Sequence, residues 1–165
     1  MGKVWKGGRS AAGMKFGIAA GAFNELIVEK LVRGAIELIE ASGGAADDID
    51  VAWCPGAVEI PLVAQRLVQS GRYDAVLAIG CVIRGGTPHF DFVAGQASSG
   101  LARVSLDSGV PVSFGVLTVD TIEQAIERAG TKMGNKGGEA AIAAIEMVDL
   151  LRKLPEPLRT LPEPG

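Results

Sequence analysis

The sequence is poor in the residues that usually build metal sites, disulfide frameworks and nucleic-acid-binding surfaces. Its 165 residues include one histidine and two cysteines, and Cys54 and Cys81 match no metal or redox spacing. We therefore expect no metal site and interpret both cysteines as small buried hydrophobic residues. The net charge is −3 and no long basic run is present, which argues against a nucleic-acid-binding protein.

Segments that could enter a membrane are also missing from the sequence. Residues 1–6 lack the apolar core of a signal peptide, and Lys6 stands where myristoylation requires Ser or Thr. The longest uncharged segment, residues 108–119, is too short for a membrane span and contains a proline. These features predict a cytoplasmic protein that does not bind membranes.

Aromatic residues are scarce at 5%, whereas 48% of the residues are hydrophobic and 23 are glycine. A chain of this length and hydrophobicity can build one well-packed domain. The many small residues predict closely packed helices and turns. They also favour a surface that is partly apolar because it is buried between subunits.

Strand-like and helix-like patterns alternate four times along the chain. Short apolar runs predict strands at residues 16–20, 49–54, 75–83 and 112–118. Asn24 is a candidate cap for the helix after the first strand. Further apolar stripes at helical spacing predict helices at residues 60–68, 92–108, 122–129 and 139–154. The alternation predicts a single α/β domain in three layers, with a four-stranded parallel sheet covered by helices on both faces.

The two ends of the chain differ from this alternating region. Residues 1–14 read as an amino-terminal arm, in which residues 3–6 form a possible edge strand that could pair with a neighbouring subunit. We expect the domain to span residues 15–154. The proline-rich tail, residues 155–165, belongs to a region in which Leu-Pro-Glu-Pro occurs at 154–157 and again at 161–164, and we expect it to be extended and mobile.

The third predicted strand runs directly into a polar turn that carries the single histidine. Gly85 and Gly86 can adopt backbone angles closed to other residues and could point N–H groups at an anion. Thr87 adds a hydroxyl, and His89 is suited to moving protons near neutral pH, with Asp91 as a group that could orient it. The same pattern also fits a simple turn with a structural histidine, because it matches no P-loop or dinucleotide motif.

Ligands of parallel sheets bind beyond the carboxyl ends of the strands. This rule predicts one pocket formed by residues 21–24, 55–59, 81–89 and 114–118. Phe23 is equally compatible with stacking on a heterocycle and with packing beside a helix start, and Glu59 with ligand binding and with the helix dipole. Arg128 and Lys136 fit a solvated loop or a phosphate site, and an arginine beside an imidazole suggests transfer or elimination on a small phosphorylated substrate.

Seven segments together form a set of motifs in a fixed order: Phe23-Asn24, Gly56 with Glu59-Ile60-Pro61, Ile83 to Asp91, Phe114 to Thr118, Glu123-Gln124-Ala125, Arg128-Ala129-Gly130 and Gly134 to Gly137. Because these motifs occur in order with consistent spacing, the chain resembles the lumazine synthase family over roughly residues 3–154. The resemblance implies a flavodoxin-like fold and no cofactor. It also implies condensation of 5-amino-6-(D-ribitylamino)uracil with 3,4-dihydroxy-2-butanone 4-phosphate to 6,7-dimethyl-8-ribityllumazine, phosphate and water.

The resemblance further implies a role for each matching residue. His89 would move protons, while Gly86, Thr87 and the Arg128 of an adjacent subunit would hold the phosphate. Lys136 is a weaker candidate for a substrate contact. The pyrimidine would contact Phe23, Ala57, Val58, Glu59, Cys81, Val82, Ile83 and an adjacent subunit's Phe114.

Because residues come from two subunits, the resemblance implies at least a pentamer. The uninterrupted 134–139 passage resembles family members that form a shell of about sixty subunits. Riboflavin synthase is a candidate partner.

Ala22 and Val58 depart from the Arg and the aromatic residue that many relatives carry, and we expect them to affect affinity more than chemistry. The alternatives are a catalytically weak shell-forming or flavin-binding homologue and a flavodoxin-like redox module, although the 21–24 loop is too short to bind a phosphate.

Overall fold

Four parallel strands form the centre of the computed structural model, which describes residues 1–157 of the chain. The strands are β1 (Phe16–Gly21), β2 (Ile49–Cys54), β3 (Ala75–Ile83) and β4 (Val112–Val119). Their order across the sheet is β2-β1-β3-β4, and every neighbouring pair is parallel. The predicted parallel sheet is confirmed.

Helices cover both faces of this sheet. They are α1 (Glu25–Ala41), α2 (Ile60–Gln69), α3 (His89–Ser108), α4 (Ile122–Glu127) and α5 (Lys136–Lys153). Buried residues of α1 and α5 share one core cluster, and buried residues of α2 and α3 share the other. The arrangement is the predicted three-layer α/β sandwich of the flavodoxin-like type. None of the helices within residues 1–157 is both long and apolar enough to cross a membrane.

Strand β3 separates the two cores. Leu77, Ile79 and Cys81 point into the cluster with α1 and α5, while Val76 and Ala78 point into the cluster with α2 and α3. Side chains alternate between the faces of a strand, so a strand covered on both faces must be apolar at nearly every position. The coverage of β3 on both faces explains the continuous apolar run at residues 75–83 of the sequence.

Helices α1 and α5 approach each other closely at glycines. A Cβ atom on Gly137 would lie 1.9 Å from the Leu31 carbonyl oxygen. Asn135 ties the pair together, because its Nδ2 donates to the Lys30 carbonyl at 3.0 Å and its Oδ1 accepts the Gly138 N–H at 3.1 Å. This cap starts α5 at Lys136, three residues before the predicted start.

Three expectations from the sequence differ from the structure of this chain. Residues 3–6 form no strand within it; the neighbouring residues of the arm contact α5 instead, where Arg9 Nε lies 2.6 Å from Glu146 Oε1. The interruption near residues 130–138 contains a short antiparallel pair, β5 (Ala129–Thr131) and β6 (Gly134–Asn135). The predicted stripe of α4 is only partly buried, since Ile122 is 56% exposed. The tail beyond residue 157 lies outside the described residues.

Candidate active site

The single histidine is the first residue of α3. Its predecessor Pro88 is the N-cap residue, with a φ of −69° that already suits a helix. The prediction of a helix start near residue 92 was therefore wrong by one turn of helix. His89 is exposed at the mouth of a cleft, where the rigid helix holds it rather than a loop.

The cleft has a volume of about 500 Å³ and lies beyond the carboxyl ends of β1, β2 and β3, as the strand-end rule predicts. Segments that are far apart in sequence meet there. Its lining comprises Phe23, Pro55, Gly56, Ala57, Val58, Glu59, Cys81, Val82, Ile83, Gly85, Thr87, His89, Phe90 and Val93.

Two residues after β1 shape one wall of this cleft. Phe23 keeps 72% of its surface exposed, while its N–H donates to the Pro55 carbonyl at 3.0 Å. Asn24 has a left-handed backbone with φ of 62° and does not cap α1 with its side chain. Its Nδ2 donates instead to the Cys81 carbonyl at 3.1 Å, which joins the β1 loop to the end of β3. The predicted side-chain cap was therefore wrong: Asn24 occupies the N-cap position of α1, but its side chain ties the loop that carries Phe23 to the end of β3.

A second wall comes from the segment between β2 and α2. Residues Ala57–Glu59 form one 3₁₀ turn, and the Glu59 carboxylate is exposed at its end. Burial raises the pKa of the Cys54 thiol, and the Glu59 carboxylate raises it further. Burial also raises the pKa of the Cys81 thiol to about 11. A raised pKa favours the protonated thiol, which is the weaker nucleophile, and this agrees with their interpretation as buried hydrophobic residues.

The loop between β3 and α3 is open to a ligand. Neither Gly85 nor Gly86 has a positive φ, so the expectation of special backbone angles was wrong. The space where a Cβ would stand is open on both residues, because no atom beyond their chain neighbours lies within 4 Å, so a ligand can approach the backbone there. Thr87 is exposed beside them and faces the same cleft as His89.

The remaining predicted residues lie elsewhere on the surface of the same chain. Phe114 stands in the first half of β4 and lines a cavity of about 360 Å³ against α5. Arg128 lines a cavity of about 320 Å³ with Thr118 and Lys136. The prediction that residues 114–118 share a pocket with the other three segments was wrong for a single chain. They lie along β4 rather than after its end, and β2, not β4, flanks β1.

Arg128 is held in place by its own helix turn. Its Nη1 donates to the Gln124 carbonyl at 3.1 Å and lies 3.7 Å from Glu127 Oε2. Its side chain is 37% exposed, and Lys136 Nζ lies 3.7 Å from Glu139 Oε2. The two cations therefore face a surface that a second molecule can reach.

Asp91 does not face His89 as a partner. Its Oδ1 lies 3.6 Å from Nη2 of Arg84, whose Nε donates to Asp120 Oδ1 at 2.9 Å. Neither Arg84 nor Asp120 was predicted from the sequence to have a role in the site. The sequence features that could have indicated them are the position of the arginine directly before the double glycine and that of the aspartate directly after β4.

Comparisons with known proteins agree with this geometry. A family profile described as 6,7-dimethyl-8-ribityllumazine synthase matches residues 13–152. Two proteins of that name, from two strains of Clostridium kluyveri, are each 55% identical to this chain over 152 residues. Each alignment covers 92% of this chain and 99% of the relative. The similarity therefore extends over the whole domain and over every segment that lines the cleft.

Proposed function

This chain belongs to the 6,7-dimethyl-8-ribityllumazine synthase family, and from that premise we propose how its residues carry out the reaction. The enzyme is a transferase of riboflavin biosynthesis. It condenses 5-amino-6-(D-ribitylamino)uracil with 3,4-dihydroxy-2-butanone 4-phosphate, giving 6,7-dimethyl-8-ribityllumazine, phosphate and water. The comparisons offer no support for a non-catalytic homologue.

The pyrimidine occupies the part of the cleft between Phe23 and the end of β3. The exposed ring of Phe23 offers a flat face for stacking. Backbone groups of residues 57–59 and 81–83 surround the same space and can bond the polar edge of a planar ring. Val58 replaces the aromatic residue of many relatives, so the stacking contact depends mainly on Phe23.

The phosphate of the second substrate binds at the open loop before α3. Gly86 and Thr87 allow close approach of the anion to backbone N–H groups and to a hydroxyl. Arg128 of an adjacent subunit completes this site, because an arginine binds phosphate through two parallel hydrogen bonds. Lys136 of that subunit is the second cation near the anion.

His89 transfers protons between the two bound reactants. The pyrimidine amine attacks the ketone carbon, and the imidazole takes the proton that the nitrogen gives up. It returns a proton to the hydroxyl that leaves as water when the imine forms. The same group assists proton transfer as phosphate leaves and as the ring closes on the remaining carbonyl with loss of a second water. Most of the acceleration comes from holding two reactants together, with general acid–base catalysis added by His89.

This site requires at least two copies of the chain. Apolar side chains near Arg128 are exposed, as expected of a face that another subunit covers: Met133, which lines the same cavity, is 52% exposed, and Ile126, two residues before Arg128, is 43% exposed. We extend the proposal to a pentamer and to a shell of about sixty subunits, with riboflavin synthase as a candidate partner. Sedimentation of the purified protein decides between them, and a single species of pentamer size excludes the shell.

The location of the enzyme in the cytoplasm is part of the same proposal. Both cysteines of the chain are free and buried, which suits a reducing compartment. Fractionation of the source cells, with the protein followed by antibody, tests this location; recovery outside the cytoplasmic fraction contradicts it.

The observation that carries the proposal is that Phe23, Thr87 and His89 share one cleft. The test is to incubate the protein with both substrates and to follow lumazine fluorescence. We expect His89→Ala to lower kcat by about a hundredfold. Arg128→Ala raises KM for the phosphorylated substrate, whereas Arg103→Ala, an exposed arginine of α3, leaves both constants unchanged. Wild-type protein that makes no lumazine excludes the function, and undiminished rates in both site variants exclude the mechanism.

A further inference from the structure

Arg84 joins three elements at the edge of the cleft. Its backbone N–H donates to the Val119 carbonyl at 2.8 Å, and its Nε donates to Asp120 Oδ1 at 2.9 Å. Its Nη2 lies 3.6 Å from Asp91 Oδ1 in the first turn of α3. The end of β3, the end of β4 and the start of α3 are thereby connected through one side chain.

The same guanidinium stacks on a residue that lines the cleft. The Arg84 Cζ atom lies 4.4 Å from the centre of the Phe90 ring, and Phe90 follows His89 directly. An arginine that stacks on a ring and bonds carboxylates at its edge fixes a plane, which a lysine cannot do. Both side chains that follow His89 in the first turn of α3 are therefore in contact with Arg84.

The loop that Arg84 spans has little packing of its own. Residues 84–89 are exposed, and the spaces beside Gly85 and Gly86 are empty. The loop itself therefore does little to fix the start of α3 when a substrate phosphate binds, and this turn of helix depends on contacts that other residues make. Arg84 supplies contacts to β4 that the loop does not make at its glycines.

Direct binding of phosphate is a poor use of this arginine. Its charge already faces the carboxylates of Asp91 and Asp120, and the residue does not line the cleft. The two ion pairs are also a weak source of stability, because Arg84 is 48% exposed and both aspartates are 66% exposed. The contribution of this cluster is therefore to fix the relative positions of the elements that it joins.

We infer that Arg84 is a positioning residue that holds the first turn of α3, and with it His89, against the end of β4. This inference rests on the proposed function, because it concerns the proton transfers assigned to His89. Displacement of a catalytic group by about 1 Å can lower a rate by about a hundredfold. Loss of the guanidinium should therefore lower kcat while the fold persists.

The experiment measures lumazine formation by Arg84→Met, with Arg103→Met as the matched control. Arg103 lies within α3 and pairs with Asp107 of the same helix at 3.4 Å, but it does not line the cleft. We expect kcat of Arg84→Met to fall between about tenfold and a hundredfold, with the melting temperature little changed. Arg103→Met keeps the wild-type kcat.

A second comparison separates positioning from a general structural effect. In the His89→Ala background, Arg84→Met should cause no further loss, because the group that it positions is already gone. Arg84→Ala should recover activity when guanidinium chloride is added at about 20 mM, far below the denaturing range, since the site is exposed. The Arg84→Lys variant should be less active than Arg84→Ala with added guanidinium chloride, because an ammonium group cannot make the paired contacts.

The possible outcomes are distinct. Wild-type protein without lumazine synthesis overturns the proposed function itself. Active wild-type protein together with an unchanged kcat in Arg84→Met overturns only this inference, and so do effects of Arg84→Met and His89→Ala that multiply. If Arg84→Met does not fold, Asp120→Asn replaces it. This variant keeps the arginine and weakens the shortest contact of its side chain, so a lowered kcat is again expected.

Discussion

The separation of His89 from Arg128 within one chain leads to a quantitative prediction about mixed oligomers. The two residues line different cavities of the chain, one beyond β3 and one between β4 and α5. If each active site combines His89 of one subunit with Arg128 of its neighbour, then these two variants can repair each other. Both are impaired when the phosphorylated substrate is kept well below the KM of Arg128→Ala, and the recovery is measured under that condition. Mixing His89→Ala with Arg128→Ala subunits should therefore restore activity.

The size of this recovery follows from counting subunits in a closed ring. A site is intact only when the subunit that supplies His89 is the Arg128→Ala variant and its neighbour is the His89→Ala variant. In a random equimolar ring each condition holds at about half of the positions, so about a quarter of the sites are intact. An equimolar mixture of wild type with the double variant should also have about a quarter of its sites intact, against about half if each chain carried a complete site.

The assay requires oligomers that contain subunits of both variants. The two variants are produced together with different affinity tags, mixed oligomers are purified on both tags in turn, and lumazine formation is compared with wild-type protein. Separately produced variants, combined without exchange, serve as the control and should show no recovery. Mixed oligomers that are no more active than the single variants would refute the shared site, as would half-maximal activity in the mixture of wild type and double variant.

Four further predictions test the fold and the surroundings of the site. Gly137→Ala should lower the free energy of unfolding by about 3 kcal/mol, because the new methyl group collides with the Leu31 carbonyl; urea unfolding measures it, and Gly95→Ala, in open space, is the control. Asn135→Ala should lower it by about 1–2 kcal/mol through loss of the α5 cap, and a change within experimental error would contradict that role. The pKa of Cys81 is about 11, above the usual 9.0, so at pH 8 its thiolate fraction should be about a hundredfold below that of a free cysteine. Its alkylation by iodoacetamide should be slower by the same factor and should accelerate as the pH rises to about 11. Peptide mass spectrometry measures the labelling, and fast labelling at pH 8 would contradict the prediction. Ala22→Arg should alter KM more than kcat in the lumazine assay, and a gain of several orders of magnitude in turnover would show that the native site is impaired.

Local pattern was a reliable guide wherever burial alone decided the structure. The apolar run at residues 75–83 predicted β3 with its observed bounds because a strand covered on both faces admits few polar residues. The apolar stripe that predicted a helix at residues 92–108 includes Ala97, Leu101 and Val104, and these residues form the buried face of α3 for the same reason. The start of α3 escaped prediction, because Pro88 and the exposed His89 carry no apolar periodicity, although they begin a helix.

The parallel sheet, its two covered faces and the edge at which ligands bind follow from the sequence, because buried positions recur along the chain with the period of each strand or helix. Which side chains meet at that edge follows only from the three-dimensional arrangement of the elements. Asn24 turns from a helix cap to the Cys81 carbonyl, Asp91 turns from His89 to Arg84, and Arg128 lies outside the cleft that holds His89. These outcomes depend on strand order, register and the directions of single side chains, and each involves partners that the local periodicity of the chain does not relate.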